Sequence, residues 1–256
     1  MAEEFVRNSA DLEQMQELGR QFDAAAASWD AEHGPDSARA AEFAARIRYL
    51  RKLCRRLGRP RVLDLGCATG QVLVQLSPVI DDGFGVDISG AMIERARRIA
   101  QSGKLRFRAD DAVRFCNYCS EQFDLVLFVG VLDHLPDQET ALASVRRVLG
   151  REGRLVVISP HPWSFLFLLK SLTHLGREMP PARHLSPRRL AAVARRNEFR
   201  LANITALPYA PWPALSPILA RMPTVSSLAP QNPLTGVVRG AFAAEFRHRE
   251  PNGVGR

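Results

Sequence analysis

The sequence lacks any apolar run long enough to span a membrane. Its longest, Trp163 to Leu169, stops at Lys170, well short of the ~20 residues a helix needs to cross a bilayer. No secretory leader is expected either: Met1-Ala2-Glu3-Glu4 is acidic where a signal peptide is basic and then apolar. A cytoplasmic location is therefore expected. Cysteine is scarce. The four present, Cys54, Cys67, Cys116 and Cys119, are too few for a disulfide framework. Cys116-Asn117-Tyr118-Cys119 is a CxxC, but a structural zinc site wants a second pair of ligands at similar spacing and the chain has none. A redox CxxC opens a helix after a strand, whereas this one lies late in a helix or loop before Phe123. No metal is expected. No repeat of 20–50 residues is visible, which argues against solenoids and propellers.

What is present describes a folded chain. Its 256 residues are 46% hydrophobic and 24% charged, which excludes disorder of the whole. That length suits one large domain or two small ones, with a core that needs no disulfide or metal to stand. The charge is uneven. Residues 1–40 hold nine acids and three bases, net −6, and the rest hold 32 bases and 18 acids, net +14. Such a balance suits nucleic acid, an anionic membrane or an arginine-rich surface. Arg46, Arg48, Arg51, Lys52, Arg55, Arg56, Arg59 and Arg61 follow one another closely, while Ile47, Leu50, Leu53 and Leu57 give the same stretch an apolar side at helical spacing. We read it as a solvated basic face; the rival is a polyanion-binding face.

Residues 11–29 and 38–57 read as two helices separated by the breaker His33-Gly34-Pro35. From Arg61 the pattern alternates. Strands are expected at Arg61–Leu65, Gly83–Asp87, Leu105–Arg108, Phe123–Val129 and Arg154–Ser159. Helices are expected between them at Gly70–Leu76, Gly90–Gln101, Asp111–Cys116 and Asp137–Leu149. Strands separated by helical patterns imply βαβ units and a parallel sheet with helices on both faces. After Ser159 the rhythm changes. Residues 161–178 look like an inserted amphipathic helix, Ser186–Asn197 a helix with Pro187 in its first turn, and Phe199–Leu207 a strand. Seven of the 17 prolines fall between Pro208 and Pro233. Gly236–Arg247 can supply a last strand, antiparallel if it pairs with Phe199–Leu207. The expected fold is an α/β, Rossmann-like, mostly parallel doubly wound sheet of seven strands. It is divided into an N-terminal helical cap (1–58), a core (59–207) and a Pro-rich segment (208–256) whose strand completes the same domain.

The strongest motif is Val62-Leu63-Asp64-Leu65-Gly66-Cys67-Ala68-Thr69-Gly70. A buried strand runs into a tight turn that opens a helix, and Gly66 and Gly70 let the backbone bend and a ligand approach closely. The spacing is not that of a dinucleotide loop, and no Gly-Lys-Ser/Thr follows as in a P-loop. In Gly85-Val86-Asp87-Ile88-Ser89, Asp87 ends the second strand. An acid there can accept both hydroxyls of a ribose.

This set resembles the class I S-adenosylmethionine-dependent methyltransferases. The glycine loop is similar to their first motif, Gly85–Ser89 to their second and Leu105–Ala112 to their third. Phe123–Phe128 with Val131-Leu132-Asp133-His134-Leu135-Pro136-Asp137 is similar to the fourth, and Arg147–Leu155 to the helix-turn-strand that follows. Arg183–Pro187 and Asn197–Phe199 fall where many small-molecule members carry similar words. The resemblance covers roughly residues 20–207 and is nearest in flavour to quinone-biosynthesis and natural-product enzymes. It implies S-adenosylmethionine as cofactor. Gly66, Cys67 and Gly70 would line its methionine part, with Asp64 beneath. Asp87 would hold the ribose, Ile88 and Met92 would flank the adenine, Asp111 and the Ala112 backbone would meet the adenine amino group, and the carbonyl near Val129 would accept from the ammonium. Ala68 replaces the usual middle glycine. Asp133 stands where many relatives carry His or Glu before the shared His134.

Methyl transfer is a displacement at the methyl of a sulfonium, so the protein mainly aligns the nucleophile and excludes water. A base helps a hydroxyl or acidic carbon. His134, just past the fourth strand, is first choice for it, since an unperturbed imidazole titrates at about 6.5; His161, after the fifth strand, is second. Trp29 belongs to a lid or anchors the core. The segment Trp163–Leu169 would cover the acceptor pocket, which suggests an apolar acceptor, or would touch an anionic membrane. The expectation is a methyltransferase acting on O, N or C of a small lipophilic or aromatic molecule. One alternative is an RNA methyltransferase, against which stand the absence of an added RNA-binding module and of an Asn/Asp-Pro-Pro-Tyr-like word. The other is a non-catalytic cofactor-binding subunit. Oligomeric state is not legible.

Overall fold

The computed structural model describes residues 9–37, 39–160, 183–208 and 240–249. The expected sheet is there, with seven strands in the order β3-β2-β1-β4-β5-β7-β6. They are β1 Arg61–Leu65, β2 Asp82–Asp87, β3 Leu105–Ala109, β4 Phe123–Val129, β5 Leu149–Pro160, β6 Phe199–Pro208 and β7 Gly240–His248. The first five pair in parallel, while β7 lies between β5 and β6 and is antiparallel to both. The chain builds outward from β1 to β3, then returns to lay β4 on the other side of β1. In open α/β sheets, ligands bind outside the carboxyl ends of the strands at such a switch point.

Eight α-helices occur among the described residues: α1 Ser9–Ala25, α2 Trp29–His33, α3 Ala40–Arg56, α4 Gln71–Leu76, α5 Gly90–Ile99, α6 Ala112–Tyr118, α7 Gln138–Val148 and α8 Pro187–Arg196. Strand residues alternate between two apolar layers, as pleating demands. Leu63, Leu65, Val126, Phe128, Leu155 and Val157 pack with residues of α1, α6, α7 and α8. Val62, Leu125, Leu127, Val156 and Ile158 pack with those of α3, α4 and α5. Helices thus cover both faces. Ser89, Asp111, Asp137 and Ser186 each cap a helix by accepting a backbone N–H at its third residue, a contact worth about 1 kcal/mol apiece.

The N-terminal reading needs one correction. The expected helix over 11–29 is two: α1 ends at Ala25, a turn follows, and Trp29–His33 forms the separate α2. The run of small alanines Ala24–Ala27 hides this break from a periodicity argument. The fifth strand is also longer than expected. It starts at Leu149, and its register against β4 shifts between Phe123 and Leu125, because Gly150–Gly153 bulges out between two paired stretches. The inserted helix expected at 161–178, the Trp163–Leu169 segment within it, and His161 lie outside the described residues.

Candidate active site

The glycine loop begins with a buried acid. Asp64 shares its sheet face with Val62, is 1% exposed, and has no hydrogen-bond partner for either carboxylate oxygen. Burial, with Asp87 nearby, pushes its pKa up to about 8. A buried acid without a partner is costly; one placed at a ligand site is a ready acceptor for a cationic group. Beyond it the backbone turns sharply. The N–H groups of Gly66 and Cys67 both donate to Val86 O, at 2.7 and 3.1 Å, and Gly70 N–H donates to Cys67 O. Gly66 and Gly70 are left-handed, with φ +75° and +76°. A Cβ on Gly66 would lie 2.3 Å from Val131 Cγ2, and one on Gly70 2.8 Å from the Phe107 ring. The two glycines are therefore needed first for the loop to pack on its own protein, and not only for a ligand to approach. Ala68 is left-handed too, at φ +46°, a conformation that costs a residue with a Cβ roughly 1–2 kcal/mol.

Asp87 latches this loop. Ala68 N–H donates to its Oδ2 at 2.8 Å and Ser89 N–H to its Oδ1 at 2.9 Å. Burial raises its pKa to about 6 against the pull of these two donors. Each oxygen keeps a further lone pair. Ile88, half-buried, lies against Gly19 of α1, and Met92 is buried within α5. Asp111 caps α6 through Arg114 N–H at 2.8 Å, with Ala112 opening that helix. The more buried acid is its neighbour Asp110, whose carboxylate is taken by Arg108, Arg114 and the Tyr118 hydroxyl. Val129 ends β4, and the next N–H, of the left-handed Gly130, donates to Ile158 O.

Two acids from the N-terminal helices close on the same loops, and sequence reasoning assigned neither a role at the site. Asp30 of α2 accepts from the Thr69 hydroxyl at 2.6 Å and lies 3.6 Å from Arg95. Asp23 of α1 accepts from the Ser89 hydroxyl at 2.5 Å and from Ala91 N–H at 3.1 Å. Their traces in the sequence were the acidic balance of residues 1–40 ahead of a basic remainder and, for Asp30, its place after Trp29 where many similar proteins carry a Tyr-Asp pair.

Past β4 lies a second polar group. Leu132–His134 forms a 3-10 turn. The Asp133 side chain is buried; the Ser159 hydroxyl donates to its Oδ2, and His184 Nδ1 lies 3.2 Å from the same oxygen. Arg183 N–H donates to Asp133 O at 2.7 Å. His134 packs edge-on against Phe22 of α1, with centroids 5.9 Å apart, and Phe22 packs edge-on against Trp29. Its Nδ1 is buried without a partner, and burial holds its pKa below the usual imidazole value. Trp29 stacks on His33 at 4.1 Å.

Other sequence features turn out to be built into the fold. On the basic helix α3, Arg51 donates to Gln75 O, and Arg56 pairs with the buried Glu245 of β7 at 2.6 Å. Arg59 donates to Pro78 O and Ile80 O. Part of that basic face therefore ties helix ends and strands together. In the CxxC, Cys116 sits within α6 and Cys119 at its end, and burial raises both thiols, Cys116 to about 12. They stay protonated at neutral pH, the opposite of a reactive pair.

The chain is an S-adenosylmethionine-dependent methyltransferase, and its fold, glycine loop and acid after β2 are similar to those of the class I enzymes. Residues 59–180 match the family described as a methyltransferase domain. Among curated proteins, the ubiquinone biosynthesis O-methyltransferase of Xanthomonas oryzae pv. oryzae (strain PXO99A) is 24% identical over 193 residues, covering 72% of this chain and 80% of its own. Two solved structures share the fold. The DhpI complex with S-adenosylhomocysteine has a TM-score of 0.64 at 20% identity and covers 95% of this chain and 100% of its own. The magnesium protoporphyrin IX methyltransferase of Synechocystis PCC 6803, with bound S-adenosylhomocysteine, has a TM-score of 0.64 at 14% identity and covers 93% and 100%.

Proposed function

We propose that the chain transfers the methyl group to a hydroxyl oxygen of a small, lipophilic aromatic molecule. The observation that carries this reading is the polar group of Asp133 and His134 directly past β4, set among the apolar Phe22, Val131, Leu132 and Leu135. An apolar wall suits an aromatic acceptor, and an imidazole and a carboxylate at its edge suit a hydroxyl that must be held and shed its proton. The likeness to the ubiquinone O-methyltransferases favours oxygen over nitrogen or carbon.

When bound, S-adenosylmethionine supplies an activated methyl on a sulfonium sulfur. The residues present fit it: the buried Asp64 carboxyl has no hydrogen-bond partner, and a cationic ligand beside it would favour its ionised form. In our reading Gly66, Cys67 and Gly70 line the methionine part above Asp64, and the Val129 carbonyl accepts from the ammonium. The spare lone pairs of Asp87 take the ribose hydroxyls, Ile88 and Met92 flank the adenine, and Asp111 with the Ala112 N–H meets its amino edge. Asp23 and Asp30 hold α1 and α2 down over these loops and exclude water. His134 contacts the acceptor hydroxyl. We place the enzyme in the cytoplasm, within reach of an anionic membrane surface able to hold a lipophilic acceptor.

Calorimetry with S-adenosylhomocysteine tests the cofactor assignment; no binding at millimolar ligand would sink it. Incubation with S-adenosylmethionine and a panel of alkyl catechols, read by mass spectrometry, tests the acceptor class, with a mono-O-methyl product as the expected result. Salt-sensitive micromolar affinity for RNA, with no catechol methylated, would favour a nucleic-acid acceptor instead.

A further inference from the structure

Two histidines stand beside one buried carboxylate at the β4–β5 end, and they are not equivalent. His184 Nδ1 is 3.2 Å from Asp133 Oδ2. That approach is an ion-pair distance without hydrogen-bond geometry, whereas the buried His134 Nδ1 has no partner and its ring packs edge-on against Phe22. The Asp133 carboxylate is itself held. The Ser159 hydroxyl at the end of β5 donates to the same oxygen, and the Asp133 backbone carbonyl accepts from Arg183 N–H, which ties the strand of chain carrying His184 to the β4 loop. Gln138 Nε2 adds donors to Leu132 O and Arg183 O, at 3.1 and 2.7 Å, and so straps the two segments together. A base, and a carboxylate fixing that base, is the arrangement by which imidazoles are oriented for proton transfer. A charge formed on His184 has a counter-ion at contact distance. A charge formed on His134 is opposed by burial, which outweighs the favourable pull of the same Asp133, and then by the neighbouring His184.

We propose that His184 is a catalytic residue of the methyl transfer, the group that receives the acceptor's proton, with Asp133 and Ser159 as its positioning residues and His134 as the neutral imidazole contacting the acceptor. This rests on the hydroxyl-acceptor reading above. The acceptor O–H bond breaks and its proton goes to the His184 imidazole, which becomes an imidazolium beside the Asp133 carboxylate. The oxygen's electron pair forms the new O–CH3 bond as the S–CH3 bond of the donor breaks, its pair staying on sulfur. The titratable groups shown against His184 are Asp133, 3.2 Å from its Nδ1, and His134, with which it interacts electrostatically.

The test uses the full chain with 15N-labelled histidine, with and without S-adenosylhomocysteine. His184 is expected in the Nδ1–H tautomer, and Asp133→Asn should shift it toward Nε2–H. On the best catechol of the panel, His184→Gln should lower kcat by roughly 10²–10⁴ and remove the acidic limb of the pH profile. Ser159→Ala should give a smaller loss, and calorimetric affinity for S-adenosylhomocysteine should stay within twofold in every variant. An Nε2–H tautomer in the wild-type chain, or His184→Gln turnover within twofold of wild type, overturns the assignment. Failure of every catechol to react overturns the acceptor reading instead; the tautomer then still decides whether the carboxylate and imidazole form a pair.

Discussion

The two ends of the cleft are made differently. Around Asp64 and Asp87 the parts lie close in sequence and the work is done by backbone: left-handed residues, N–H groups aimed at carboxylates and a strand-to-helix turn. Around Asp133 the parts come from three distant stretches, at 131–138, Ser159 and 183–184, and the work is done by side chains meeting on one oxygen. A backbone-built site tolerates little change of shape but does not depend on remote partners. A side-chain-built site can change its chemistry by single substitutions while the fold stays intact. An enzyme class that keeps one donor and varies its acceptors is well served by that division.

Four perturbations separate the two ends, taken from the largest expected effect downward. Gly66→Val places a Cβ 2.3 Å from Val131 at φ +75°. It should destabilise the fold by about 3 kcal/mol or more through overpacking and strain, seen as a large drop in melting temperature. Asp87→Ala should leave the fold largely intact while weakening S-adenosylhomocysteine binding roughly 100-fold, the loss of about two charge-assisted hydrogen bonds; unchanged affinity in calorimetry refutes the ribose assignment. At the other end, His134→Ala should lower turnover about tenfold with cofactor affinity retained, and turnover within twofold of wild type would make His134 structural. Ala68→Gly, the smallest effect, relieves the φ of +46° and should raise stability by up to about 1 kcal/mol in a denaturant titration.

The pH dependence follows from the same contrast. Asp64 and Asp87 have native pKa values raised to about 8 and about 6, above those of an unfolded aspartate. The native state therefore binds more protons than the unfolded one between about pH 4 and 8, so these two groups make the ligand-free protein less stable as pH rises through that window. A cationic ligand favours their ionised forms, so affinity for S-adenosylmethionine should increase from pH 5 to pH 8.5. Parallel melts and calorimetry at several pH values check both signs. Flat affinity across the range would mean that neither carboxylate meets the cofactor.

Much of the fold was legible because its signals are local. The limits of β1 and β4 follow from their apolar runs, and Ser89, Asp137 and Ser186 sit where a helix needs an N-terminal acceptor. The alanine-rich break between α1 and α2 was not legible, since alanine suits helix interior and turn alike. The bulge that starts β5 early was missed because Gly150 and Gly153 read as a turn. At the site, Asp64, Gly66, Gly70 and Asp87 stood out through their spacing. Asp23, Asp30 and His184 did not, because each acts on a residue far away in the chain, and the local words around Asp30 and His184 name no partner.

The sequence by itself determined the order of strands and helices, the turn at Gly66–Gly70 and the acid after β2, because each depends on residues within a few positions of one another. Only the tertiary structure decided that the acidic N-terminal helices clamp the glycine loop and that the Arg56 side chain serves β7. It alone decided, too, that one carboxylate gathers Ser159 and His184. These pairings span tens to hundreds of residues, and a charged or polar side chain carries no record of its partner until folding removes both from water and makes the pairing necessary.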